Sequence, residues 1–455
     1  MAPIVSNSFY FGKKVCVLGL GRSGMAAARL LMKCGAVVTV YDSSNSPHLL
    51  ERAETLRREG IHVMIGPDAE KDSACYELAI ISPGIEEESA LVLNIKAKGI
   101  PLIGELELAY TLCSFPIVAI TGSNGKTTTT ELTTLILESA GLNVSSCGNI
   151  GTPMSELLLK GDVWDALVVE TSSFQLETIR TFRPKVAVWL NLSPNHLDRY
   201  PSLKEYRDAK LRIFENQHHD DVAVLPHGQE FSSVKASRIS FSTKESSADL
   251  TLRGTEILYK GMMILDLKET NMKGAHNAAN VMAAFAGAMG ITQTIPTLTG
   301  VLRNYKTPAH RCELIAEHRG VRWINDSKAT NLDAMEQAIR SVQGPLILIA
   351  GGKDKGFGFA PIAPLIQERV TFAILIGEIR DRISEEWASV PSATVDSMEE
   401  AVLLASRMAD PDSGSSVLLS PGTSSFDMFR DYIERGEAFR ALVNRLSSTP
   451  ELSEY

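Results

Sequence analysis

No run of apolar residues in this chain approaches the 18 or so that a membrane-spanning helix needs, so a membrane span is not expected. Residues 1–14 likewise lack an apolar core between a basic head and a small-residue cleavage site, which disfavours export. There is no C-x-x-C pair among the six cysteines, Cys16, Cys34, Cys75, Cys113, Cys147 and Cys312. They read as buried thiols in a reducing cytoplasm rather than as disulfides or a zinc knot. Nor is there an excess of basic residues. Lys and Arg total 45 against 54 Asp and Glu, a formal charge of -9, which excludes a protein that holds nucleic acid chiefly by a basic surface. Local anion sites remain open.

What is present points to a folded chain of several parts. At about 150 residues per domain, 455 residues suggest roughly three domains, and 44% hydrophobic with 22% charged residues can fill several cores. From Lys13 to about Ala109 the chain alternates short apolar strand, glycine turn and amphipathic helix, which predicts βαβ units on a parallel sheet. A second start follows at Ile117, where PIVAITG enters a Gly/Thr-rich turn and a helix from about Lys126 to Ala140. The strands ALVVE and VAVWLNL end in polar residues, where open α/β sheets bind ligands. Residues 222–273 suggest a small antiparallel insert. Beyond Thr307-Pro308, four strands (VRWINDS, PLILIAGG, FAILIGE and SVLLSPG) predict a third α/β domain.

Two glycine turns could carry chemistry. Gly19-Leu20-Gly21-Arg22-Ser23-Gly24 follows a strand and opens a helix, and Asp42 ends the next strand. Alone, this is the dinucleotide fingerprint: the glycines let a diphosphate approach the helix N-terminus and the acid can accept a ribose hydroxyl. It favours NAD over other nucleotide diphosphates, and a ligand-free packing turn is the bland alternative. The second turn, Thr121-Gly122-Ser123-Asn124-Gly125-Lys126-Thr127, has the makings of a phosphate cradle. Backbone N–H groups would hold phosphates, Lys126 would offset their charge and the Thr127 hydroxyl would meet Mg²⁺. Ile120 stands where a strict P-loop has its first glycine.

Glu170, at a strand end, could join Thr127 on Mg²⁺, and His196 could complete a second site; an ion pair or a surface histidine are the competing readings. Pattern alone leaves Lys210 a solvated cation on its helix. Asn277 and Asn280 share a helix face that suits a flat base or simple packing. Arg311, Asp326, Lys328 and Thr330 cluster around the third domain's first strands, and Lys355 and Ser425 lie in later loops. Each of these is also readable as a solvated loop residue.

Taken in order, GLGRSG, ITGSNGKTTT, ETSSFQLE, NHLDRYPS, YRDAKLRIFEN, GAHNAAN, PAHRCE, INDSKATN, GGKDKG and SPGTSSFD resemble the motifs of the Mur ligases, from Gly19 to Asp427. The likeness is greatest to the branch that adds D-glutamate to UDP-N-acetylmuramoyl-L-alanine. The resemblance implies an α/β chain of three domains. Residues 1–107 would form a Rossmann-like parallel sheet for the UDP sugar. Residues 108–307 would form a P-loop-type ATPase domain with a small antiparallel insert, and residues 308–455 a Rossmann-like domain for the amino acid. It also resolves the first turn against NAD.

By the same resemblance, Arg22, Ser23, Asp42, Gly84, Asn149 and His196 would meet the UDP substrate. Gly122, Ser123, Asn124, Gly125, Lys126, Thr127, Thr128, Asn277, Asn280, Arg311 and Asp326 would meet ATP. Thr330, Lys355, Ser425 and Phe426 would form the D-glutamate pocket, with Lys353 the alternative to Lys355. Lys126, Glu170, His196, Lys210, Arg311 and Lys328 would be catalytic. Two Mg²⁺ sites are implied, at Thr127 and Glu170 and at Glu170, His196 and a carbamylated Lys210. An ammonium about 4 Å from a dication at an effective dielectric of 20 would cost about 8 kcal/mol, so only the carbamate could ligate. The implied partners are small molecules, with no nucleic acid or membrane, and a cytoplasmic monomer is expected. The rivals are another Mur ligase, of which the L-lysine- or diaminopimelate-adding one is disfavoured by the absence of a D-N-P-R motif, a folylpolyglutamate synthase, an NAD-dependent oxidoreductase and a non-catalytic nucleotide-binding module.

Overall fold

A computed structural model describes residues 9–71, 74–86, 88–195, 199–272, 274–303, 305 and 309–448. The first sheet is all parallel, in the spatial order His62–Ile65, Val37–Asp42, Lys14–Leu18, Leu78–Ile81, Leu102–Gly104. Its central strands are buried on both faces, which is why they read as unbroken apolar runs. Helix Arg22–Lys33 presses Ala26, Ala27, Ala28, Leu30 and Leu31 into the core.

The second sheet has nine strands. Val144–Gly148, Ala166–Glu170, Ile117–Thr121, Val186–Trp189, Val222–Pro226, Ser237–Ser242 and Leu250–Arg253 follow one another in parallel. Glu256–Tyr259 and Met262–Asp266 complete the edge antiparallel. The antiparallel part is therefore narrower than the sequence suggests, and it extends the main sheet. Helices Lys126–Ser139 and Ala275–Met289 pack together, with Thr129 and Asn280 meeting between them, and the second is buried along most of its length.

The third sheet runs Glu313–His318, Val321–Asn325, Ser416–Leu419, Leu346–Gly351, Val370–Ile376, Ser392–Thr394, parallel except for its first strand. Apolar clusters cover both faces, one around Leu348, Phe359 and Trp387 and one around Trp323, Ile349 and Phe439.

By contact density the chain divides into two compact units: residues 1–191 with 207–304, and residues 192–206 with 305–455. The first two sheets thus share one unit, and fifteen residues of the central sequence belong to the other. Thr307-Pro308 lies outside the described residues. The thiols correct the reading that all six are buried: Cys16 and Cys147 are buried, Cys34 and Cys113 intermediate, Cys75 and Cys312 exposed, and all are free. Among the described residues no helix is long and apolar enough to cross a membrane.

Candidate active site

Strand Ile117–Thr121 delivers the chain into the loop Gly122–Gly125, and helix Lys126–Ser139 leaves it. Gly125 sits at φ 85°, a left-handed conformation, and a Cβ there would stand 2.3 Å from Asn280 Oδ1. Only glycine meets both demands. The loop is held by Asn191, which accepts the Asn124 N–H on Oδ1 (2.9 Å), donates Nδ2 to Asn124 O (3.0 Å) and accepts the Ser123 N–H on its own carbonyl (3.1 Å). Lys126 folds back over the loop and donates to Gly122 O and Ser123 O, both at 3.0 Å. Lys126, Thr127 and Thr128 form the first turn of this helix, the kind of terminus at which an anion could be held.

Lys210 stands behind this loop, in the last turn of helix Leu203–Leu211. It is 1% exposed, which corrects the solvated-cation reading, and its Nζ donates to Gly122 O at 3.0 Å and lies 3.4 Å from Thr121 Oγ1. Burial first, and then the nearby Lys126 charge, push its ammonium well below the usual lysine range, while Glu170 pulls the other way. Glu170 is buried at the end of its strand, and its Oε1 accepts Asn149 Nδ2 at 3.0 Å. Asn280 is buried and lies 3.4 Å from Thr129 Oγ1; Asn277, one turn earlier, is half-buried. The structure thus gathers the loop with Glu170, Asn149, Lys210 and Asn280. His196 lies outside the described residues. Among the described residues no three His, Cys, Asp or Glu side chains form a metal cluster.

Beside the first glycine turn lies a cavity of about 380 Å³ whose lining includes Arg22, Ser23, Asp42, Gly84 and Asn149. A Cβ at Gly24 would stand 1.9 Å from Gly19 O, so this glycine lets the helix seat against the turn. Asp42 is already engaged, accepting the Leu20 N–H at 2.8 Å and the Ser44 N–H at 2.9 Å, so its carboxylate shapes the turn. Arg22 is largely exposed and reaches Glu156 at 3.5 Å. Ser82 and Gln175 also line the cavity, and Gln175 completes a capping box with Ser172.

In the second unit, Lys355 is 7% exposed and its Nζ donates to Asn195 Oδ1 (2.9 Å) and Thr330 O (3.2 Å). Lys353 is exposed and engages the Thr423–Ser424 segment through its backbone. Ser425 is buried and Phe426 is 64% exposed. Arg435, 1% exposed, donates to Ser327 Oγ (3.0 Å), Ser327 O (2.8 Å) and Thr423 O (3.1 Å), tying together the two loops that carry Thr330 and Ser425; burial lowers its guanidinium to about 9. Burial raises Asp326 to about 7, although Ser420 Oγ donates to it at 2.8 Å and Cys312 N–H at 3.1 Å; the Arg311 charge opposes the rise. Lys328 Nζ lies over the Tyr432 ring at 5.2 Å.

Asn191, Gln175, Asn195 and Arg435 were not singled out by the sequence. Asn191 had a signal, since it is the polar residue just beyond an apolar strand.

Three family profiles match: the Mur ligase MurD-like N-terminal domain at residues 13–104, the Mur ligase middle domain at 120–288, and the Mur ligase glutamate ligase domain at 310–422. A relative from Geobacter metallireducens, UDP-N-acetylmuramoylalanine--D-glutamate ligase, is 40% identical over 96% of this chain and 98% of its own. Among solved structures, UDP-N-acetylmuramate-alanine ligase from Thermotoga maritima matches with TM-score 0.61 at 19% identity, covering 96% of this chain and 99% of its own. MurF ligase from Thermotoga maritima, in complex with ADP, matches with TM-score 0.59 at 15% identity, covering 98% and 100%. At these identities the structures show likeness of fold.

Proposed function

The chain belongs to the Mur ligase family, and from that premise we propose that it is the ATP-dependent ligase that adds D-glutamate to UDP-N-acetylmuramoyl-L-alanine during peptidoglycan precursor synthesis. The observation that carries this reading is the loop Gly122–Gly125, locked by Asn191 at the head of a helix, with Lys126 folded over it and Glu170 and buried Lys210 gathered beside it. A loop so built suits a phosphate cradle, and the acidic and basic groups beside it support a reading of phosphoryl transfer.

The domain roles follow: residues 1–107 hold the UDP sugar in the cavity at Ser23 and Gly84, residues 108–307 hold ATP, and residues 308–455 bring the amino acid. The alanyl carboxylate oxygen attacks the γ-phosphorus and ADP departs, leaving an acyl phosphate. The D-glutamate nitrogen then attacks the acyl carbon, and the tetrahedral intermediate collapses with loss of phosphate and of an amine proton. Two anions must meet in the first step, so positive charge and positioning do most of the work. Lys126, Arg311 and Lys328 are assigned that charge, Asn277 and Asn280 the adenine, Asp326 the ribose, and Thr330, Lys355, Ser425 and Phe426 the amino acid.

Mg²⁺ takes oxygen donors and keeps several waters and phosphates as ligands. The Thr127 hydroxyl and the Glu170 carboxylate, buried and oriented by Asn149, fit that preference and would hold the ion, which when bound supplies charge to the phosphates. His196 and a carbamylated Lys210 are assigned to a second ion. The depressed basicity of Lys210 fits carbamylation, because only the neutral amine forms the C–N bond to CO2, releasing a proton as the carbamate forms. The enzyme is taken as a cytoplasmic monomer acting on small molecules.

Phosphate release tests the assignment. It should require ATP, UDP-N-acetylmuramoyl-L-alanine and D-glutamate together. Equal release without D-glutamate, or full replacement by L-lysine, would overturn the specificity.

A further inference from the structure

Lys355 sits in a tight loop, Gly351–Phe359, and the side chain next to it points its charge elsewhere. Asp354 takes a two-pronged bond from Arg382, Nη1 to Oδ2 at 2.7 Å and Nη2 to Oδ1 at 2.9 Å, and its Oδ1 also accepts the Gly356 N–H at 2.9 Å. Arg382 Nη2 reaches Phe357 O at 3.2 Å as well, so one guanidinium spans the loop on both sides of Lys355. One turn further along the same helix, Arg380–Glu386, the Glu386 carboxylate accepts the backbone N–H groups of Phe359 and Ala360. At the loop's start, Lys353 N–H bonds Ser424 O at 2.9 Å. The hydrogen bonds from Arg382, helped by the Gly356 N–H and the Arg382 charge, hold the Asp354 carboxyl below the usual carboxylate range, so the pair stays ionised at neutral pH.

A flexible four-carbon lysine stem selects a substrate carboxylate only if its root is fixed. Here the root is fixed by a rigid fork, and the tip by Asn195 Oδ1 and Thr330 O. We propose that Arg382, acting through Asp354, is a positioning residue for Lys355, setting where its ammonium meets a carboxylate of the incoming amino acid. This rests on the assignment of Lys355 to D-glutamate. The bonds of Arg382 go to Asp354 and Phe357, so its effect on the amino acid is exerted through the loop. A lysine in its place keeps the charge but cannot span Asp354 and Phe357 together.

Steady-state kinetics with each substrate varied in turn test this on the full-length enzyme. For Arg382→Lys the KM for D-glutamate is expected to rise about tenfold, with kcat and the KM for ATP and for the UDP substrate changed by less than about twofold. The double variant Arg382→Ala/Asp354→Asn should be no worse than Arg382→Ala alone, because asparagine keeps an oxygen for the Gly356 N–H and both changes remove the same fork. An unchanged KM for D-glutamate, or a rise in all three KM values together with a lowered Tm, would overturn the proposal. If the wild-type enzyme does not use D-glutamate, the substrate assignment fails, and the positioning role is read with the amino acid it does use. A rise confined to that amino acid still supports it, and no rise overturns it.

Discussion

An amine with a hundredth of its surface exposed, set against Gly122 O and near Lys126, loses its proton more readily than a surface lysine does. The shift of Lys210 runs in the direction that favours the neutral amine, the form from which a carbamate is made. Lys210→Ala is expected to lower kcat by about 10²–10³, with partial recovery on adding a short carboxylate such as acetate, measured by phosphate release. Equal activity without the additive would remove the carbamate from the mechanism. Asp326 titrates the opposite way. Its folded value, about 7 against an ordinary 3.8, means that the native state retains a proton which the unfolded chain loses. Stability from this group is complete below about pH 4 and falls as pH rises to about 7, by up to about 4 kcal/mol. Urea midpoints at about pH 5 and about pH 8 should differ less in Asp326→Asn than in wild type. Neither behaviour is readable from the sequence, where Lys210 and Asp326 look like ordinary polar residues. Burial, which shifts both, is a property of what packs around them.

At the level of single elements, the turns were the most legible parts of the chain. Gly19, Gly24 and Gly125 announce strand–turn–helix joints because their backbone or their contacts admit no side chain, and the helix begun at Lys126 follows. The strands Val222–Pro226 and Ser237–Ser242 were harder: short runs half-covered on one face read alike whether their neighbours run with them or against them. The strand end marks Asn191 as a polar position, but what it holds was hidden by separation, since its partner Asn124 lies 67 positions earlier. Arg382 was hidden similarly, in a helix whose surface pattern of charges says nothing about the loop it holds. Two substitutions test the phosphate turn. Gly125→Ala adds about 1–2 kcal/mol of left-handed strain, besides the clash with Asn280. Asn191→Ala removes two part-buried bonds to Asn124 N–H and O, at about 0.5–1.5 kcal/mol each. Both should raise the KM for ATP about tenfold or more and leave the KM for D-glutamate nearly unchanged, read by initial rates.

At the scale of the whole molecule, the first two sheets form one unit, and a buried acid helps to join them. Glu107, on helix Glu105–Thr111, accepts the N–H groups of Arg180, Thr181 and Phe182 at 2.9, 2.7 and 2.9 Å, and the Thr181 hydroxyl at 2.5 Å. Glu107→Ala leaves those donors without it and should cost about 3–5 kcal/mol, seen as a lower urea midpoint. Glu107→Gln, which keeps the shape but not the charge, should cost less. The presence of three sheets was legible because each carries its own turn motifs. The grouping into two units was not, because it depends on contacts such as these.

The excursion of residues 192–206 into the second unit has a consequence for how the chain is made. These fifteen residues leave the ribosome roughly a hundred residues before the body of the unit they belong to, so the first unit is completed in the chain while a segment of the other still waits for its partner. The units are joined by three passages of chain rather than one, at 191/192, 206/207 and 304/305. A single proteolytic cut therefore cannot release either unit whole. Expression stopped at residue 304 would leave Asn195 with no Lys355 to receive, and the fragment would present its waiting segment to chaperones and proteases.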